Sequence, residues 1–275
     1  MAGLFVKVYS YLDSLLIREF QGHEAVGQYA VAYKLTYALQ FLPLTFVAAL
    51  YPAMSTAFAR GDRESLKRTL SGSLRLMMFT SVPLAAMLSA LAQPIVLTLY
   101  RHEYQGAIAP LSILPWVLVP IFLDFPVGSL LNASRRSAYK TGAMGVTMVV
   151  NAIGNILLVP HLGPAGAAWS AIVSFTILFA LGLFFIRKEL PPLSWCLSLA
   201  ARGATVAIVT WLAGTWMADR APLIMSLLFT GSIAVLLLFV TRLLQVSDVL
   251  QIFRWLKRQP VEPPGEIDEE TGTHA

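Results

Sequence analysis

The sequence predicts an all-α fold: a polytopic transmembrane helical bundle of about eight spans. Three observations carry this. Of the 275 residues, 57% are hydrophobic and only 13% charged, about half the ~25% charge of a soluble domain. Apolar stretches near 20 residues recur along the whole chain, the length that crosses a hydrocarbon layer about 30 Å thick as helix. Basic residues and Gly/Pro turns punctuate those stretches instead of forming one surface patch. An ordinary soluble enzyme, a disordered chain and a disulfide scaffold are excluded.

In order, the spans fall at about 4–20, 26–58, 74–100, 107–131, 141–160, 164–186, 195–218 and 221–241. The start lacks the basic segment and small-residue cleavage site of a secretory signal. The second stretch exceeds one membrane thickness, so it tilts, bends near Pro43 or runs beyond the bilayer. The third carries Pro83 and Pro94, and the fourth Pro110, Pro115, Pro120 and Pro126. An interior proline removes a backbone hydrogen bond and kinks its helix. Such bends are either static or suited to a bundle that changes shape around a cavity. Gly163, Pro164, Gly166, Ala167 and Ala168 mark a tight turn into the sixth span, where small residues permit close helix approach.

The chain divides into a six-helix lobe (1–190), two additional spans (191–241), an amphipathic surface helix (242–258) and a disordered acidic tail (259–275). Leu243, Val246, Leu250 and Phe253 recur at helical spacing in the third part, as in a helix lying on a membrane surface or packed on another domain. Residues 259–275 hold five acids and no Lys or Arg, a composition that does not build a core. With the N-terminus in the cytoplasm, fourteen Lys/Arg fall on the cytoplasmic side and two, Arg101 and Arg220, outside. This positive-inside bias predicts an inner-membrane protein with both termini cytoplasmic. It also accounts for the basic residues without nucleic acid.

The single cysteine, Cys196, has no disulfide partner, and the four histidines lack metal-site spacing. No phosphate-binding loop, nucleophile elbow or zinc-protease motif is present. The sequence therefore predicts no enzyme, no cofactor and no metal.

Charges within spans cost about 2.5–3.5 kcal/mol near a helix centre, so they are the best functional candidates. Lys7, Tyr11, Ser14 and Arg18 follow one another at helical spacing on one face. That face meets a wet cavity, or Lys7 and Arg18 snorkel to opposite interfaces. Asp13 lies away from the stripe, at a depth similar to Lys34 in the next, antiparallel span, which suggests an Asp13–Lys34 pair near the midplane. Asp124, in the Pro-rich span, either carries a coupling proton or pairs with a basic residue near the cytoplasmic side. Asn151 and Asn155, one turn apart, bind sugar hydroxyls or bond neighbouring helices.

Three stretches together resemble the polysaccharide and O-antigen repeat-unit flippases of the multidrug/oligosaccharidyl-lipid/polysaccharide exporter superfamily. They are YLDSLLIREFQGHEAVGQYAVAYKL (Tyr11 to Leu35); Leu42-Pro43 with Leu50-Tyr51-Pro52-Ala53-Met54-Ser55 and a basic loop; and NAIGNILLVPHLGPAGAA (Asn151 to Ala168). The resemblance covers about residues 5–245 and matches the C-terminal half of a family member, from its seventh helix onward. It implies one six-helix lobe plus two helices, facing a cavity completed by an N-terminal bundle or a second copy. Relatives often carry Arg two residues before the seventh-helix Asp; here Tyr11 stands there.

The resemblance implies that Asp13, Lys34, Asn151 and Asn155 line a translocation path, with Asp13 and Asp124 available for ion coupling. The implied activity is alternating-access export of an undecaprenyl-diphosphate-linked oligosaccharide, with the lipid bilayer and that polyprenyl-diphosphate-linked glycan as partners. Three other readings remain. A cation-coupled multidrug exporter would not need Lys7, Arg18 and Lys34. A glycosyltransferase or O-antigen polymerase needs a long outside loop, and none exceeds about ten residues. A non-transporting scaffold is the last.

Overall fold

The computed structural model describes residues 2–243, with side chains from Tyr11 onward except Ala48 and Ala49. The surface helix and acidic tail, from residue 244 on, and the Lys7 side chain lie outside the described residues. The described chain is helical and forms one compact unit. Seven helical stretches in it are long and apolar enough to cross a membrane.

The first of these contains a reversal. Helix α1 (Ala2–Tyr37) is broken at Gly22, whose φ of 84° and ψ of −177° belong to neither helix nor strand. A straight helix would hold residues 13 and 29 about 24 Å apart. Instead the Tyr29 hydroxyl donates to Asp13 at 2.9 Å, so the two arms fold back on each other. Where the sequence suggested a loop across 21–25, one glycine turns the chain. It can do so because it lacks the Cβ that makes positive φ costly.

The second arm continues through a 3-10 turn (Ala38–Gln40) into α2 (Phe41–Ala59). The over-long second stretch therefore breaks just before Pro43. Helix α3 (Arg63–Ala90), begun by Asp62 accepting from the Ser65 amide at 2.9 Å, gives way at Leu91 to α4 (Ala92–Leu99). Pro94 has no N–H to offer the Ala90 carbonyl, which is why the helix breaks there. The fourth stretch is α5 (Ile108–Ile113), a 3-10 turn (Leu114–Val117) holding Pro115, and α6 (Leu118–Ala133). Beside that break, Ser89 Oγ donates to the Ser112 carbonyl at 2.5 Å and accepts from Trp116 Nε1 at 3.1 Å. A neighbouring helix thus provides polar contacts beside the kink, as lipid surroundings demand.

Helices α7 (Ser137–Leu162) and α8 (Pro164–Phe185) form a close pair. A Cβ on Gly166 would stand 2.5 Å from the Leu158 carbonyl oxygen, so only glycine allows this approach. Helix α9 (Leu193–Ala218) packs on α3, and α10 (Leu223–Val240) on α9. The most apolar windows of α3 and of residues 102–133 are 61% buried, against 22% for α9 and α10. The core therefore lies around α3 and α6, and the last two helices cover it from one side.

Candidate functional site

The α1 hairpin brings Asp13 against α7. Asp13 is 4% exposed and Tyr29 1%. Asn155 Nδ2 donates to Asp13 Oδ1 at 2.8 Å, to the Asn151 carbonyl at 2.9 Å and to Asn151 Oδ1 at 3.1 Å. Ser170 of α8 donates to the same Asn151 carbonyl at 2.9 Å, and Ser174 to the Ser170 carbonyl at 2.6 Å. Asn155 Oδ1 is buried and has no hydrogen-bond partner. One carboxylate thus ties both arms of α1 to α7 through a tyrosine and an amide. Nearer the turn, Gln21 Nε2 reaches the Val159 and Pro160 carbonyls, each at 3.3 Å.

This arrangement corrects the expected Asp13–Lys34 pair. Asp13 takes Tyr29 and Asn155, while Lys34 is exposed. Residues 29 and 34 lie five positions apart, about 140° around a helix. The face that hands Tyr29 to Asp13 therefore turns Lys34 away. The sequence reading missed Tyr29, although Tyr29, Tyr33 and Tyr37 repeat at four-residue steps, with Tyr33 and Tyr37 stacked at 4.3 Å.

Removing the carboxylate strands the buried Tyr29 and Asn155 donors. Stranding a buried polar group costs about 1–3 kcal/mol, whereas interhelical bonds within membranes average about 0.6 kcal/mol. Asp13→Ala should therefore lower stability by about 1–3 kcal/mol, and Asp13→Asn by less. Thermal unfolding of the purified variants checks this; equal melting of Asp13→Ala and wild type would show that the network holds nothing.

Asp124 of α6 has found a partner: it forms an ion pair with Lys140 in the first turn of α7. Both side chains are about 86% buried, and Asp124 Oδ1 has no hydrogen-bond partner. Gly128 leaves room for the lysine, since a Cβ there would stand 3.3 Å from Lys140 Cε. Of the two alternatives open for Asp124, pairing with a basic residue at the near end is the one formed. Lys140 was missed because it reads as one more basic residue after Arg135 and Arg136.

The stripe faces the other way. Tyr11 is 73% exposed, Arg18 is exposed and Ser14 half-buried. Arg18 and Lys34 have no acidic partner among the described residues. Lys34 stands twelve residues past the turn at Gly22, about 18 Å of helix. The candidate residues therefore separate into a buried set (Asp13, Asn151, Asn155) and an outward set (Tyr11, Arg18, Lys34). Among the described residues no cluster of His, Cys, Asp and Glu could hold a metal.

Known proteins share this architecture. Residues 21–243 match the family described as lipid II flippase MurJ. A probable low-salt glycan biosynthesis flippase, Agl15 of Haloferax volcanii, is 21% identical over 68% of this chain and 41% of its own length. A probable flippase of the same organism, AglR, is 24% identical over 73% and 43%. The solved lipid II flippase MurJ in an inward closed conformation superposes with a TM-score of 0.69 at 17% identity, over 94% of this chain and 53% of that one. The chain thus spans about half the length, or less, of these proteins. With a family match over most of its residues and the same helical fold, the chain belongs to the lipid II flippase MurJ family.

Proposed function

We propose that this chain is the cavity-forming C-terminal lobe of a flippase that carries a polyprenyl-diphosphate-linked oligosaccharide across the inner membrane by alternating access, with a second six-helix bundle opposite. The observation that carries the reading is Lys34: a cation about 18 Å of helix beyond the Gly22 turn, exposed and without an acidic partner among the described residues. Facing acyl chains it would cost about 2.5–3.5 kcal/mol. Facing a wet cavity it attracts the diphosphate of an anionic lipid. Tyr11 and Arg18, exposed on the first arm of α1, and half-buried Ser14 are assigned to the same path. The probable low-salt glycan biosynthesis flippase among the relatives supports this substrate class. The positive-inside count supports cytoplasmic termini.

Ion coupling is assigned to Asp13. Rotating the Asn155 amide by a half turn puts Oδ1 where Nδ2 now meets Asp13 Oδ1 and the Asn151 carbonyl. The site then offers oxygens and one negative charge, a donor set suited to a hard cation. Asp124 already has its cation in Lys140.

The function is tested in a strain that lacks lipid-linked oligosaccharide flipping and receives this chain together with the opposing six-helix bundle. Restored glycan on the outer leaflet is expected; continued accumulation on the inner leaflet would overturn the reading. For coupling, replacing choline by sodium should raise the melting temperature of the wild type and leave Asp13→Asn unmoved. Equal shifts in both would remove Asp13 from the ion site.

A further inference from the structure

At the end of the bundle where α6 turns into α7, three connections converge: α2 to α3, α6 to α7, and α8 to α9. Between them lies a cavity of about 380 Å³. Its polar wall holds four cations, Arg63, Lys67, Arg136 and Lys188, and two acids, Asp62 and Glu189. Each acid has one oxygen engaged, and Glu189 Oε2 is buried with no hydrogen-bond partner among the described residues. Asp62 accepts from the Ser65 amide to start α3. Glu189 accepts from Arg136 Nη2 at 3.2 Å, while Arg136 Nη1 donates to the Phe185 carbonyl at 3.2 Å. Arg136 is thereby fixed as a strut between two connections. The side chains of Arg63, Lys67 and Lys188 have no ion-pair or hydrogen-bond partner among the described residues. The start of α3, a 28-residue helix, also lines the cavity and adds its positive end.

The remaining wall is apolar: Ala57, Phe58 and Leu66. Phe58 is 39% exposed beside three unpaired cations. A bias toward basic loops explains how many cations lie at this end. It does not explain why three of them surround one cavity with an apolar side. Cations at the rim and an apolar wall suit an amphiphile carrying a phosphate anion.

We propose that this cavity binds the headgroup phosphate of an anionic phospholipid, with Arg63, Lys67 and Lys188 as its ligands and Arg136 holding the connections in place. The phosphate takes the charge that Asp62 and Glu189 leave unmet. The glycerol backbone lies on Phe58 and Leu66. The inference does not depend on the transport reading, because it concerns a resident lipid at the rim and not the cargo at Lys34.

The test uses the full chain purified in neutral detergent, with short-chain phosphatidylglycerol and phosphatidylcholine as probes and native mass spectrometry as readout. Phosphatidylglycerol should be retained over phosphatidylcholine. The triple substitution Arg63→Gln, Lys67→Gln, Lys188→Gln should weaken its retention by at least about tenfold, since each cation near an anionic surface contributes roughly fivefold. The charge-keeping set Arg63→Lys, Lys67→Arg, Lys188→Arg should retain it, which separates ligand loss from misfolding. A control triple at the same end but off the cavity, Arg60→Gln, Arg68→Gln, Arg135→Gln, removes the same charge and should leave retention within about twofold. Equal loss in both triples would reduce the effect to non-specific attraction and overturn the site. So would unchanged retention in the cavity triple. A short polyprenyl diphosphate serves as a further probe. Its loss in the cavity triple with phosphatidylglycerol unaffected would overturn the phospholipid assignment in favour of the cargo.

Discussion

Lys140→Ala should destabilise the lobe by about 3–5 kcal/mol, the cost of leaving one member of a buried ion pair without its partner. Asp124→Ala should cost clearly less, although it breaks the same contact. The asymmetry comes from depth. Asp124 lies nine residues before the end of α6, about 14 Å of helix from the turn, and its short side chain cannot reach back to the turn. Lys140 lies only three residues into α7, and its long side chain can swing back toward the turn once Asp124 is gone. In the folded lobe it does the reverse, reaching inward past Gly128 to the carboxylate. Replacing both partners by apolar residues, Asp124→Leu with Lys140→Met, should recover most of the loss, because neither charge is then stranded. Thermal unfolding of the three variants in one detergent checks the order. Equal losses for the two single variants would show that depth does not govern the pair.

Lys34→Ala should abolish most transport, by at least about tenfold, while leaving stability unchanged or improved. A lysine near mid-depth costs about 2.5–3.5 kcal/mol of insertion free energy, so a helix without it inserts at least as well. The residue is exposed and makes no ion pair among the described residues. A structural lysine behaves in the opposite way, as Lys140 does. Lys34→Arg keeps the charge and should keep most of the activity; Lys34→Gln should resemble alanine. The measurement is flipping of a labelled polyprenyl-diphosphate oligosaccharide in proteoliposomes, alongside a melting curve for each variant. Full transport by Lys34→Ala would take the cation out of the substrate path.

The two experiments bear on different parts of the molecule. The Asp124–Lys140 pair joins α6 to α7 inside the lobe. Lys34 is exposed on the second arm of the α1 hairpin, and Tyr11 and Arg18 on the first. The Asp13 network ties both arms to α7 through buried amide and hydroxyl contacts. Under the proposed reading, the outward charges meet an anion while the inner lattice holds the hairpin against α7 without bringing further charge into lipid.

The order of the spans and most of their turns could be read from residues alone, although α3 begins at Arg63, well before the expected start at 74. Hydropathy averaged over about 20 residues tolerates local errors, and Gly163-Pro164, Pro94 and Pro115 mark breaks whose chemistry is local. The identity of the charged and amide residues worth attention was equally legible, because charge is rare in such helices. Their pairing was not. Each residue turns a helix face by about 100°, so a small error in phase sends a side chain to a different neighbour. Asp13 and Lys34 share a depth yet point apart; Asp124 and Lys140 lie sixteen residues apart and meet only because α7 folds back along α6. Composition thus determined that the chain crosses a membrane repeatedly and where its costly groups lie. The helices' rotation and packing alone decided which of those groups neutralise one another and which are left facing outward.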